Sequence, residues 1–256
     1  MMDVWTPPTV VTSERMNHAR LDPDYRADKD WLLTREDSQA SALSLVRPDG
    51  VSLTIDFTAG KARYRTTQSG MGAQALSRAL GVKQFKKING YSPTIVDATG
   101  GLGQDAWALA STGCTLILIE QHDIVHALLA DGLERALAND ECAAVAKRIT
   151  LLQGEATEKL DALPMNNVHA IYLDPMYPER RKKANSKKGM QFLHALLGPP
   201  STNDPALLLA ALDSGVSRVV VKRPKGAPLL AGTEQFRGQR TVIESPNTRY
   251  DVYHSK

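Results

Sequence analysis

"TIVDATGGLGQDAWALA", Thr94 to Ala110, decides the fold. A β-branched run closes on an acid, Asp97, three glycines follow in four positions, and an alanine- and leucine-rich stretch with helical periodicity comes next. Strand, glycine turn and helix in that order open a doubly wound α/β unit. The glycines let the backbone turn tightly and approach a ligand, and the helix start offers unpaired N–H groups. This pattern predicts a nucleotide-like ligand at the carboxyl edge of a parallel sheet.

Outward from that loop the same alternation repeats. "TLILIE" (115–120), "ITLLQ" (149–153), "VHAIYLD" (168–174) and "SRVVVK" (217–222) read as strands. Between them lie amphipathic segments such as 124–137, where Val125, Leu128, Leu129, Leu133 and Leu137 follow the helical period. Strands spaced by helices imply a mostly parallel sheet. At the end "RTVIE" and "RYDVYH" flank "SPNT", a hairpin with no room for a helix, so an antiparallel strand is expected to finish the sheet. The first ninety residues differ. "ALSLV", "VSLTIDF" and "KARYRT" are separated by "RPDG" and "TAG", which predicts a small β-meander, followed by a helix from Gln74 to Leu80. The expected division is therefore an N-terminal β-rich subdomain over 1–90 and a larger domain over 91–256, with the boundary near "NGYSP".

The bulk composition sets limits. A chain of 256 residues with 42% hydrophobic content buries a sizeable core. A formal charge of +3 is too mild to signal nucleic-acid binding by itself, so any such case must be local. Two cysteines, Cys114 and Cys142, argue against a disulfide framework and for a reducing, cytoplasmic setting, and no Cys/His cluster has metal-ligand spacing. The N-terminus lacks the basic and apolar regions of a secretion signal, and the longest apolar run, "ALLLAAL" at 206–212, falls far short of the roughly 20 residues that cross a bilayer. The oligomeric state stays open, a monomer being favoured.

Two cofactors compete for the glycine loop. Gly101, Gly103 and Ala106 satisfy a dinucleotide pattern, G-x-G-x-x-A. Asp97, three residues before the first glycine, suits instead the ammonium of S-adenosylmethionine (SAM) and is badly placed beside a pyrophosphate. Glu120 ends the next strand, where an acid in these folds accepts hydrogen bonds from ribose hydroxyls.

The second chemical signal is "LDPMYPERRKKANSKKG", Leu173 to Gly189. Asp174 ends a strand, which puts it on the same edge as the glycine loop. The tetrapeptide "DPMY" is similar to the [DNS]-P-P-[YFW] signature of methyltransferases acting on exocyclic or amide nitrogens, with Met176 in place of the second proline. An aromatic amine is a poor nucleophile, because its lone pair is delocalised into the ring. A carboxylate on Asp174 and the Pro175 carbonyl accepting its N–H bonds favour attack on a sulfonium methyl, and Tyr177 can stack on the base. Arg180, Arg181, Lys182, Lys183, Lys187 and Lys188 then form a cationic flap suited to phosphates, and Lys222 and Arg223 repeat the theme after the fifth strand. A polynucleotide substrate is expected.

Together, "VDATGGLGQDAWALA", "LIE", "YLDPMYP" with its basic continuation and "VVVKRP…AP" resemble the RsmJ (YhiQ-like) family of small-subunit ribosomal RNA methyltransferases, from about residue 40 to the end. The resemblance implies a class I SAM-dependent methyltransferase fold, Rossmann-like, with SAM as cofactor and N2 of a guanosine near the 3′ end of 16S rRNA in the 30S subunit as target. It also implies cofactor contacts at Gln104, Asp105, Glu120, Gln121, Glu155, Ala156 and Asp174. Gln104 stands where family members carry Arg, and Gln121 where they carry a basic residue. On the residues alone, a DNA or protein-glutamine amino-methyltransferase, an NAD-dependent dehydrogenase and a non-catalytic RNA-binding assembly factor remain open.

Overall fold

The computed structural model describes residues 10–12, 30–35, 41–59, 71–176, 188–198 and 205–255. Five parallel strands form the centre of the main sheet: β5 (Thr94–Asp97), β6 (Thr115–Glu120), β7 (Ile149–Gln153), β8 (Ala170–Leu173) and β9 (Arg218–Pro224). β10 (Gln239–Glu244) and β11 (Thr248–His254) complete it in the order β10-β11-β9-β8-β5-β6-β7. β11 runs antiparallel to both β9 and β10, so the C-terminal hairpin enters the sheet as expected.

Alternation along the central strands assigns side chains to two apolar layers. Ile95 and Val220 join the core that contains α1 (Met71–Ala79), α3 (Gln104–Ser111) and α4 (Asp123–Leu137). Val96, Val219 and Val221 join the other, with Leu160 of α6 (Ala156–Ala162) and Leu208 of α8 (Ala206–Asp213). Burial on both faces is what a parallel sheet requires, and it explains why these strands read as continuous β-branched runs. In α4 the predicted stripe is buried at Val125, Leu128, Leu129 and Leu133, while Leu137 at its end is exposed. The remaining described helices are α2 (Val82–Asn89), α5 (Ala143–Ala146) and α7 (Lys188–Leu197).

A second sheet orders β1 (Val10–Thr12), β2 (Trp31–Arg35), β3 (Leu43–Val46) and β4 (Ser52–Thr54) in sequence. β3 and β4 are the first two strands of the expected meander, while "KARYRT" lies outside the described residues. β1 and β2 come in addition to it, because β1 pairs with β2 in parallel and no hairpin turn announces that pairing.

Phe57 stacks on Trp107 of α3 with ring centroids 4.6 Å apart, and Trp31 meets Phe192 of α7 edge-on at 4.9 Å. A polar anchor supplements these contacts. Asp131 of α4, 4% exposed, accepts the Leu43 backbone N–H at 3.1 Å and Arg135 Nε at 2.9 Å and pairs with Arg35. Gly132 beside it allows α4 to press against the Ile55 carbonyl, which a Cβ would meet at 2.7 Å. The result is a packed face that meets the glycine loop at Gly103, against Phe57 and Leu129.

Candidate functional site

The glycine loop leaves β5 at Asp97 and enters α3 at Gln104. The Gly100 N–H donates to the Ile119 carbonyl at 2.8 Å, and the Gly101 N–H to Glu120 Oε2 at 2.7 Å, so the loop is stapled to the end of β6. The glycines do different work. A Cβ on Gly100 would sit 2.9 Å from the Ile119 carbonyl oxygen, and one on Gly103 would sit 2.8 Å from Leu129 Cδ2. Gly101, with φ of +53°, would place a Cβ no nearer than 3.7 Å from anything but its chain neighbours, so its face opens onto space above the sheet edge.

Three acids stand at successive strand ends along that edge: Asp97 after β5, Glu120 after β6 and Glu155 at the start of α6 after β7. Asp97 is 2% exposed, and burial pushes its carboxyl up to about 8, with repulsion from Asp105 and Asp174 acting in the same direction and hydrogen bonds from Thr99 opposing. Burial also raises Glu120, against backbone N–H donors at His122, 2.8 Å from Oε1, and at Gly101. With its amide nitrogen facing the carboxylate, Gln121 donates to both oxygens of Glu155 at 2.9 Å. Ala156 is buried behind Glu155, and Gln104 is exposed at the first turn of α3.

Beside these acids lies an ionic network that no sequence motif announces. The Lys222 ammonium donates to Asp105 Oδ2 at 2.8 Å and to Asp174 Oδ2 at 2.7 Å, while the Tyr172 hydroxyl donates to Asp105 Oδ2 at 2.7 Å. The Asp174 backbone N–H is fixed by Thr99 Oγ1 at 2.7 Å, which ties the end of β8 to the glycine loop. Burial pulls Lys222 toward neutrality, but Asp174 and Asp105 more than offset it, so its pKa lies above the ordinary lysine value. Burial, reinforced by the same two acids, raises the Tyr172 phenol, so it stays a donor. Only the alternation along β8 points to Tyr172, which sits two residues before Asp174 and so shares its side of the strand.

Asp97, Glu120, Glu155, Asp105 and Asp174 are thus gathered at one edge, as the motifs required. Pro175 and Met176 follow half-buried. Tyr177, Arg180, Arg181, Lys182, Lys183 and Lys187 lie outside the described residues, as does the side chain of Lys188. Lys222 and Arg223 require a correction. Their place after the fifth strand predicts that they face phosphate, but Lys222 is bound between two site carboxylates, and Arg223, 4% exposed, donates to the Pro228 carbonyl at 2.8 Å. Both belong to the interior of the edge because they lie on β9, between neighbours, where a long cation is captured by the nearest acid or carbonyl.

The residues present fit SAM. Gly101 leaves space for a ligand to approach the backbone, Asp97 suits an ammonium, and Glu120 and Glu155 retain acceptor capacity suited to a ribose diol and an adenine amine. A pyrophosphate would meet acids where it needs donors.

Comparison with known proteins agrees. The family model described as "Putative SAM-dependent methyltransferase" matches residues 17–255. The ribosomal RNA small subunit methyltransferase J of Hydrogenovibrio crunogenus is 42% identical over 218 residues, 84% of this chain and 74% of that protein. The protein of the same name from Nitrosococcus oceani is 42% identical over 216 residues, 84% of this chain and 81% of its own. Among solved structures, a SAM-dependent methyltransferase from Neisseria gonorrhoeae aligns with a TM-score of 0.67 at 30% identity, covering 97% of this chain and 96% of that one.

Proposed function

Since the chain belongs to the SAM-dependent methyltransferase family that includes the ribosomal RNA small subunit methyltransferase J proteins, we propose that it methylates small-subunit rRNA in the cytoplasm, at the exocyclic N2 of a guanosine near the 3′ end of 16S rRNA. The observation that carries this reading is the position of Asp174. It stands at the end of β8, beside Thr99 of the glycine loop, with "PMY" following and Lys222 holding its carboxylate.

Bound SAM supplies an electrophilic methyl on sulfur. The chain supplies the rest. Asp97, Glu120 and Glu155 would hold the ammonium, ribose and adenine ends of SAM, with Asp174 on the same edge of the sheet. The Asp174 carboxylate and the Pro175 carbonyl accept the N–H bonds of the target amine and turn its lone pair toward the methyl, while Tyr177 stacks on the base. Asp174 would stabilise the positive charge that grows on the nitrogen as it accepts the methyl. The methylated amine is strongly acidic and then releases a proton to Asp174 or to water, so no base is needed beforehand.

The test is single-turnover methyl transfer into 30S subunits, naked 16S rRNA, duplex DNA and release-factor protein, with mass mapping of the modified nucleoside. N2-methylguanosine in rRNA is expected. Asp174→Asn keeps the shape and loses the anion, and should slow transfer by about 10²- to 10³-fold while leaving folding and cofactor binding in place. Methyl transfer to DNA or protein alone would replace the proposed substrate, and wild-type rates for Asp174→Asn would remove Asp174 from the chemistry.

A further inference from the structure

We propose that α2 and the turn after it form a second RNA-binding face, at the amino end of the sheet, opposite the catalytic edge. The proposal rests on the reading that rRNA is the substrate, and extends it to how a large RNA is held. Between Asp56 and Asp97 the chain has no acidic residue and seven cations. Four of these, Arg78, Lys83, Lys86 and Lys87, are described, and all four are exposed.

The location of α2 is well defined. Val82 is buried in the core, and the Phe85 ring lies 4.4 Å from His169, which precedes β8. Arg218, the first residue of β9, donates to the Ala79 carbonyl at 2.9 Å just before the helix begins. These anchors sit where β8 and β9 start, whereas Asp97, Asp174 and Lys222 sit where strands end. The two faces are separated by the strand length, on the order of 15–20 Å.

Structural needs alone do not explain the charges. Lys83, Lys86 and Lys87 fall at i, i+3 and i+4, so they repel one another on one side of the helix with no acid on the helix itself to pair with. The helix dipole favours Lys86 and Lys87 in the last turn but disfavours Lys83 in the first. Interleaved with the cations are Ile88, 70% exposed, and Tyr91, 63% exposed, whose ring is propped edge-on by Phe85 at 5.4 Å. A rigid cationic helix flanked by an open aromatic ring matches a phosphate backbone with an unpaired base stacked beside it. A second copy of this face would be repelled by its own charge.

The experiment compares wild type with a Lys83→Gln, Lys86→Gln, Lys87→Gln triple variant and with Tyr91→Ala, titrating purified 16S rRNA over a range of salt, with methyl incorporation followed in parallel. The triple variant should bind more weakly and flatten the log–log salt dependence by about 2 to 3, at roughly 0.7 to 0.9 for each phosphate that is no longer neutralised. Tyr91→Ala should weaken binding without changing the slope. Thermal melting and S-adenosylhomocysteine affinity should match wild type, and the KM for RNA should rise with kcat retained. Unchanged rRNA affinity and slope in the triple variant overturn the proposal. So does a loss confined to assembled 30S subunits, which assigns the face to a protein of the particle, or one confined to anionic vesicles. If wild type binds rRNA through these lysines but never methylates it, the catalytic reading fails and this face stands.

Discussion

The Nζ of Lys222 lies 2.7 Å from Oδ2 of Asp174, a pair formed between residues 48 positions apart. The same ammonium reaches Asp105, so one cation holds two carboxylates that would otherwise repel each other. Among the described residues, Asp97, Asp105, Tyr172 and Tyr250 share this part of the site with Asp174, and none of these four is cationic. Lys222 therefore supplies positive charge against two acids of this part of the site at once.

Lys222→Met should slow methyl transfer more than it weakens substrate binding. Removing a hydrogen bond to a charged group costs about 1.5 to 3 kcal/mol, roughly 10- to 150-fold in rate. Without the cation, protonation of the Asp105 and Asp174 pair becomes easier, so the acid limb of the rate profile should move to higher pH. Lys222→Arg should restore part of both. An acid limb at the same pH in Lys222→Met would mean that Lys222 only packs.

Gly101 and Gly103 should fail in different ways when changed to alanine. Gly101→Ala has room for its Cβ and is strained only by its φ of +53°, at a cost of about 1 kcal/mol, but places a methyl where cofactor approaches. Gly103→Ala, at φ of +66°, drives the methyl into Leu129 and Phe57, at 2.8 and 3.0 Å. Calorimetry with S-adenosylhomocysteine should show the larger affinity loss for Gly101→Ala, and melting the larger temperature drop for Gly103→Ala. The reverse order would exchange their assigned roles.

The parts legible in the sequence are those encoded locally. β6 and β7 match their expected limits, and the carboxyl edge follows from where β-branched runs stop at Asp97, Glu120 and Asp174. What escapes is long-range. Tyr172 and Asp105 are 67 positions apart, and Lys222 and Asp105 are 117 apart, so no local spacing joins them. Lys222 reads with its basic neighbours as a phosphate contact because adjacency in sequence conceals which side of β9 faces an acid. The parallel β1–β2 pairing escapes for the same reason.

Asp131→Ala should detach the N-terminal sheet from α4. The change removes a buried carboxylate with two arginine partners and the Leu43 N–H. Because the arginines keep partial access to water, the cost should be about 2 to 3 kcal/mol, below that of a fully buried pair. Urea unfolding measures it, and a change within about 0.5 kcal/mol would show the anchor to be incidental.

Asp97 should make both stability and cofactor affinity depend on pH near neutrality. Its folded carboxyl lies at about 8, raised by burial far above the ordinary aspartate range. Below about pH 4 both folded and unfolded states carry the proton, so burial costs no charge. From there to about pH 8 the folded state binds more protons than the unfolded one, and stability falls as pH rises; above about 8 the loss is complete. Asp97→Asn removes this penalty, so its melting temperature should gain on wild type steadily between about pH 5 and 8 in the cofactor-free protein. SAM reverses the balance, because its ammonium favours the carboxylate. Binding near pH 7 should release close to one proton, and affinity should rise toward pH 8 by at most about tenfold per unit, until the amine itself titrates. Calorimetry in buffers of different ionisation enthalpy counts that proton. Asp97→Asn should bind SAM more weakly and with affinity nearly flat over the same range. Binding by wild type with no proton released at about pH 7 would show that Asp97 keeps its proton in the complex and does not pair with the ammonium.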